Sequence, residues 1–127
     1  MDIPIGGFPG NLFAQQVTIK SGTAVSEMIA TQGKALVAIE MPAAWDAANI
    51  GLQASLSGNA SKLKNVYDNA GNPEQAVVAA SEFIVFPTTD ACFGPFIALT
   101  SMAAGTVTPT NQSADRVLTL LFRSFVS

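Results

Sequence analysis

The stretch Val117-Leu118-Thr119-Leu120-Leu121-Phe122-Arg123-Ser124-Phe125 decides the fold. Read with a period of two, Leu118, Leu120 and Phe122 line one face. Val117, Leu121 and Phe125 line the other, with Thr119 and Arg123 between them. A strand with two apolar faces requires cover on both sides. In a two-sheet sandwich the outer face is ordinarily polar. The outer face of this strand is therefore expected to be covered by the N-terminal arm or by another subunit.

The same period recurs upstream. In Ile50-Gly51-Leu52-Gln53-Ala54-Ser55-Leu56, the residues Ile50, Leu52, Ala54 and Leu56 are expected to point inward. Ala35 to Met41 is apolar on both faces, Val37/Ile39/Met41 and Leu36/Ala38, which suits a central strand. Gln16 to Lys20 alternates, Val25 to Ile29 is a further short candidate, and Phe83 to Phe86 reads as a short buried strand stopped by Pro87. Val66-Tyr67 and Glu74 to Ala80 flank Asp68-Asn69-Ala70-Gly71-Asn72-Pro73, a dense run of turn residues. Phe96 to Ser101 is the penultimate strand, and Ala103 to Ala114 a long loop. Pro42 to Asn49 breaks the strand pattern, and Trp45 within it is expected to plug one end of the core.

Eight or nine short strands with no long helical period make an all-β chain, expected to fold as an antiparallel β-sandwich of jelly-roll type. At 127 residues it is one domain. Residues 14–127 form the sandwich and residues 1–13 an extended N-terminal arm. Two prolines and three glycines among the first ten residues forbid a helix there. Ile3, Ile5, Phe8, Leu12 and Phe13 make this arm apolar, unlike a solvated tail, and it is expected to dock on a surface. With Val117, Leu121 and Phe125 of the closing strand, these residues are the candidate partner-binding set.

Composition narrows the function. Only 12% of the residues are charged, against about 25% in an ordinary domain. Histidine is absent, which removes histidine-based triads and histidine zinc sets, and a single cysteine, Cys92, makes no internal disulfide. The acidic residues form no motif, no phosphate-binding loop is present, and the Asp68–Glu74 stretch lacks calcium-loop spacing. An enzyme, a cofactor and a metal are accordingly not expected. A net charge of −3 with scattered lysines argues against nucleic acid. No apolar run is long enough for a membrane span, and the N-terminus lacks a signal-peptide pattern.

The order of blocks carries a resemblance. Gly22-Thr23-Ala24-Val25-Ser26 precedes Leu36-Val37-Ala38-Ile39-Glu40-Met41-Pro42-Ala43-Ala44-Trp45, then Ala48-Asn49-Ile50, Leu52-Gln53-Ala54-Ser55 and Val66-Tyr67-Asp68-Asn69-Ala70-Gly71. Pro109-Thr110-Asn111-Gln112-Ser113-Ala114-Asp115-Arg116-Val117-Leu118-Thr119-Leu120 closes the series. This set, over roughly residues 22–122, resembles small proteins encoded in the structural gene clusters of tailed phages and prophages. The resemblance implies a virion component made in the bacterial cytoplasm. Its expected form is a capsid decoration (cement) protein on the head surface, bound to the major capsid protein, to copies of itself as a homo-oligomer, or to both. A tail, neck or baseplate component is the alternative within the same class. A carbohydrate-binding sandwich is the alternative outside it, with Trp45 and Tyr67 as the stacking candidates, since eight of the aromatic residues are phenylalanine.

Overall fold

The computed structural model describes residues 12–85 and 95–124. Ile3, Ile5, Phe8, Cys92 and Phe125 lie outside these residues. Among the described residues there are nine strands: β1 (Leu12–Ile19), β2 (Ile29–Ala30), β3 (Lys34–Glu40), β4 (Asn49–Ser55), β5 (Lys64–Asn65), β6 (Gln75–Ala76), β7 (Phe83–Val85), β8 (Phe96–Met102) and β9 (Arg116–Ser124). A single 3₁₀ turn, Ala60–Lys62, follows β4, with the Asn59 side chain accepting from the Ser61 N–H.

The strands form two antiparallel sheets. One has the order β1-β9-β3-β7; the other runs β2-β8-β4-β5, with β6 also pairing β4. They enclose a single core, and the fold is an antiparallel β-sandwich. Val17, Ile19, Leu36, Ile39, Leu118, Leu120 and Phe122 enter it from the first sheet, and Ile50, Leu52, Ile97 and Leu99 from the second. Each such side chain stabilises the fold by roughly 1.5–3 kcal/mol through burial. Trp45 packs against this cluster and donates its Nε1–H to the Ala48 carbonyl at 3.1 Å, as expected of a plug at one end of the core.

Several expectations change. The Val25–Ile29 strand contracts to β2 at Ile29–Ala30 with an isolated bridge at Val25, and Glu74–Ala80 contracts to β6 at Gln75–Ala76. β1 begins at Leu12 rather than Gln16, because Leu12, Phe13 and Ala14 pair in unbroken register with Arg123, Phe122 and Leu121. In β3 a bulge lies between Leu36 and Ala38, so Leu36 and Ile39 both face the core and strict alternation fails. Leu56 is not inward: β4 ends at Ser55 and Leu56 is 89% exposed. Phe83 and Val85 are not buried, since β7 is a short edge strand on which they are 59% and 70% exposed.

The chain moves from the second sheet to the first through Gln32-Gly33, with φ of 54° and 76°, closed by the Lys34 N–H donating to the Thr31 carbonyl at 3.0 Å. Two successive positive φ values give the type I′ turn, which Gly33 adopts without strain. Asp68–Pro73 is the turn expected, its Asp68 Oδ1 accepting from the N–H groups of Ala70 and Asn72 at 2.9 Å each.

Candidate docking face

The two outer surfaces of the sandwich differ. On the second sheet, Gly51, Ser55, Ala98, Thr100 and Met102 face outward by register yet are buried. Loops of the chain itself dress this face. Gln75 accepts from Asn49 Nδ2 at 3.2 Å and from the Gly105 N–H at 2.9 Å, and donates to the Thr106 carbonyl. Gln53 Nε2 donates to Asn65 Oδ1 at 3.1 Å. These amides hold loops against small residues that leave room for them.

The outer face of the first sheet carries no comparable dressing among the described residues. Register defines its rows. Ala14, Leu121, Ala38 and Val85 stand side by side across all four strands. Gln16, Thr119, Glu40 and Phe83 make the next row. Leu12–Arg123–Ala35 and Thr18–Val117 complete the face. The Ala14–Leu121–Ala38–Val85 row is uncharged and apolar, with Ala38 buried, Leu121 half-buried and Ala14 and Val85 exposed, while the next row carries the exposed Glu40 and the Leu12 row Arg123 beside buried Ala35. Val117 is 44% exposed, and Phe83 and Val85 more so. An apolar centre with a polar rim is the anatomy of a protein-binding surface.

Of the candidate partner-binding residues, Leu12, Val117 and Leu121 come together on this face. Phe13 does not: it pairs with the inward-facing Phe122 and sits at an open end of the sandwich, 41% exposed, with Lys34 Nζ 4.5 Å from its ring centroid. The charge over the ring face is a cation–π contact. Phe83 and Val85 belong to the face, and the sequence reading missed them. Phe-Ile-Val-Phe followed by Pro reads equally as a buried strand and as an edge strand, and only the pairing to β3 decides.

A polar clamp closes one end of the sandwich. Arg116 Nη2 lies 2.9 Å from Asp46 Oδ1. Ser113 donates to the same carboxylate through its N–H at 2.7 Å and its hydroxyl at 3.0 Å. These two Ser113 bonds, then the neighbouring guanidinium, hold the Asp46 carboxyl below its ordinary value of 3.8. Buried Gln112 accepts from the Asp46 N–H and from Arg116 Nε, and donates to Ser101 Oγ at 2.9 Å. The groups of the clamp hydrogen-bond to one another and to the backbone, so the clamp ties distant segments of the fold together.

Among the described residues no group of three His, Cys, Asp or Glu side chains could hold a metal ion. An open groove of about 440 Å³ is lined by alanines together with Asn49, Val78 and Thr110, without a titratable side chain. No helix among the described residues is long and apolar enough to cross a membrane. Trp45 is half-buried against the core, whereas Tyr67 is exposed beside the Asp68 turn. Compared with known proteins, the chain matches no protein-family model, no curated sequence and no solved structure.

Proposed function

We propose that this chain is a structural virion protein of a tailed bacteriophage, a capsid decoration protein that binds the lattice of the major capsid protein. Its work is to bridge neighbouring capsid subunits and bury area at their seams, which requires shape and apolar surface and no catalyst. The observation that carries the reading is the uncharged row Ala14–Leu121–Ala38–Val85 on the outer face of the first sheet, in which Ala14 and Val85 are exposed, with exposed Phe83 in the adjoining row. A face of this kind gains by being covered, at roughly 25 cal/mol per Å² of apolar area removed from water. The ordered resemblance to phage structural proteins gives the class of partner, and the low charge of the chain fits a surface shared with neighbours.

A reconstruction of the purified particle tests the reading, together with quantitative mass spectrometry of its proteins. The expected result is this chain on the head exterior, in fixed proportion to the major capsid protein, with Leu121, Val85 and Phe83 against a capsid subunit. A handful of copies confined to the neck or tail overturns it in favour of a tail component.

A further inference from the structure

Among the described residues the first sheet also presents an unguarded edge at β1. The Thr18 N–H donates to Glu27 Oε1 at 2.8 Å, so it points away from β9. Backbone direction alternates along an antiparallel strand, and the β1–β9 register is unbroken. The N–H and C=O groups of Leu12, Ala14 and Gln16 therefore point to that same free edge. Among the described residues nothing pairs with them. Natural edges are protected by charge, proline, bulges or brevity. Leu12-Phe13-Ala14-Gln15-Gln16 has none of these.

We infer that this edge is the seam of a homodimer, in which Leu12–Gln16 pairs antiparallel with the same segment of a second copy about a two-fold axis at Ala14. Self-pairing is the arrangement the edge itself specifies. Glu27 closes it at Thr18, so the free donors are those of Leu12, Ala14 and Gln16. A two-fold at Ala14 sets Leu12 against the partner's Gln16 and Ala14 against the partner's Ala14, and each free group meets its complement. The segment is uncharged, so no like charges oppose each other across the axis. The apolar row Val85–Ala38–Leu121–Ala14 runs straight into the axis and continues into the partner's row, joining the two outer faces. The inference is independent of where the protein sits in a particle.

Sedimentation velocity on the full chain tests it. The expected species is a concentration-dependent dimer. Ala14→Pro removes an N–H that faces the edge and not β9, and Ala14→Lys sets two like charges at the axis. Both are expected to weaken dimerisation roughly tenfold or more while the far-UV circular dichroism remains that of a sandwich. In a Cys92→Ser background, Ala14→Cys is expected to form an intermolecular disulfide under mild oxidation. Thr18→Cys is not, because its copy lies roughly 25 Å away along the paired strands. A chain that stays monomeric at high concentration overturns the inference, as does a dimer indifferent to both Ala14 substitutions. A monomer that dimerises only after removal of residues 1–11 also overturns it, since the edge would then be occupied by the chain's own leading segment.

Discussion

Gln112 and Asp46 hold each other as two strands do. The Gln112 side-chain oxygen accepts from the Asp46 backbone N–H at 2.9 Å, and its side-chain nitrogen donates to the Asp46 carbonyl at 3.2 Å. The Gln112 backbone meanwhile accepts from the Gly22 N–H and donates to the Thr23 carbonyl. One buried residue thus ties together three segments that are far apart in sequence.

Gln112→Ala is expected to lower the unfolding free energy by about 2–4 kcal/mol, because it orphans the buried Ser101 hydroxyl and part-buried backbone groups of Asp46. Gln112→Met keeps the length and most of the packing, so its cost isolates the hydrogen bonds. Urea denaturation followed by tryptophan fluorescence measures both, with Trp45 adjacent to the clamp in sequence. Wild-type stability in Gln112→Met would show the network to be dispensable.

The Asp46 carboxyl gives the fold an acid dependence. Its pKa is held below the ordinary value, first by the Ser113 hydroxyl and N–H and then by Arg116. A depressed folded value means the stabilisation is fully present above the unfolded pKa and is lost as pH falls through the folded one. The melting temperature is therefore expected to fall in acid, below about pH 4. Asp46→Asn is expected to melt lower at neutral pH and to show a shallower acid slope. Parallel slopes for the two proteins would refute the assignment.

Gly51 and Thr100 face each other across β4 and β8. A Cβ on Gly51 would stand 2.6 Å from Thr100 Oγ1 and 2.9 Å from Met102 Sδ. Gly51→Ala is expected to destabilise the fold by about 1–3 kcal/mol through overpacking. The Thr100 hydroxyl is buried and meets no hydrogen-bond partner among the described residues. Thr100→Ala removes the closer of the two contacts and the orphan hydroxyl, leaving only Met102 Sδ to shift, so Gly51→Ala is expected to cost less in that background. A double-mutant cycle of thermal melts reads the coupling.

The outer face is tested most cleanly where a substitution spares the core. Val85 is exposed, so Val85→Asp is expected to change stability by less than about 0.5 kcal/mol. On the proposed function the same change buries an unpaired charge against the capsid, and incorporation into particles is expected to fall sharply. Leu121→Asp, at the centre of the row, is expected to do the same with some loss of stability. Particle binding unaltered in both would remove this face from the interface.

The periodicity of Val117–Ser124 and Ile50–Ser55 was enough to determine two sheets around one core. Alternating burial is a local property of a strand, and the side chains announce it. The same periodicity made the closing strand apolar on both sides, and Leu12, Val117 and Leu121 do share its outer surface. What the sequence left open depends on partners distant along the chain. The bulge at Val37 shifts the inward set of β3 against β9, and no local pattern encodes a register between separate strands. Phe83 and Val85 are exposed because β7 lies at an edge, which is a property of strand order and not of composition. Asp46 and Arg116 meet at 2.9 Å across 70 residues of chain, because folding brings the ends of different strands to one end of the sandwich. Local alternation determined the layers, and tertiary pairing alone decided register, edges and the polar clamp.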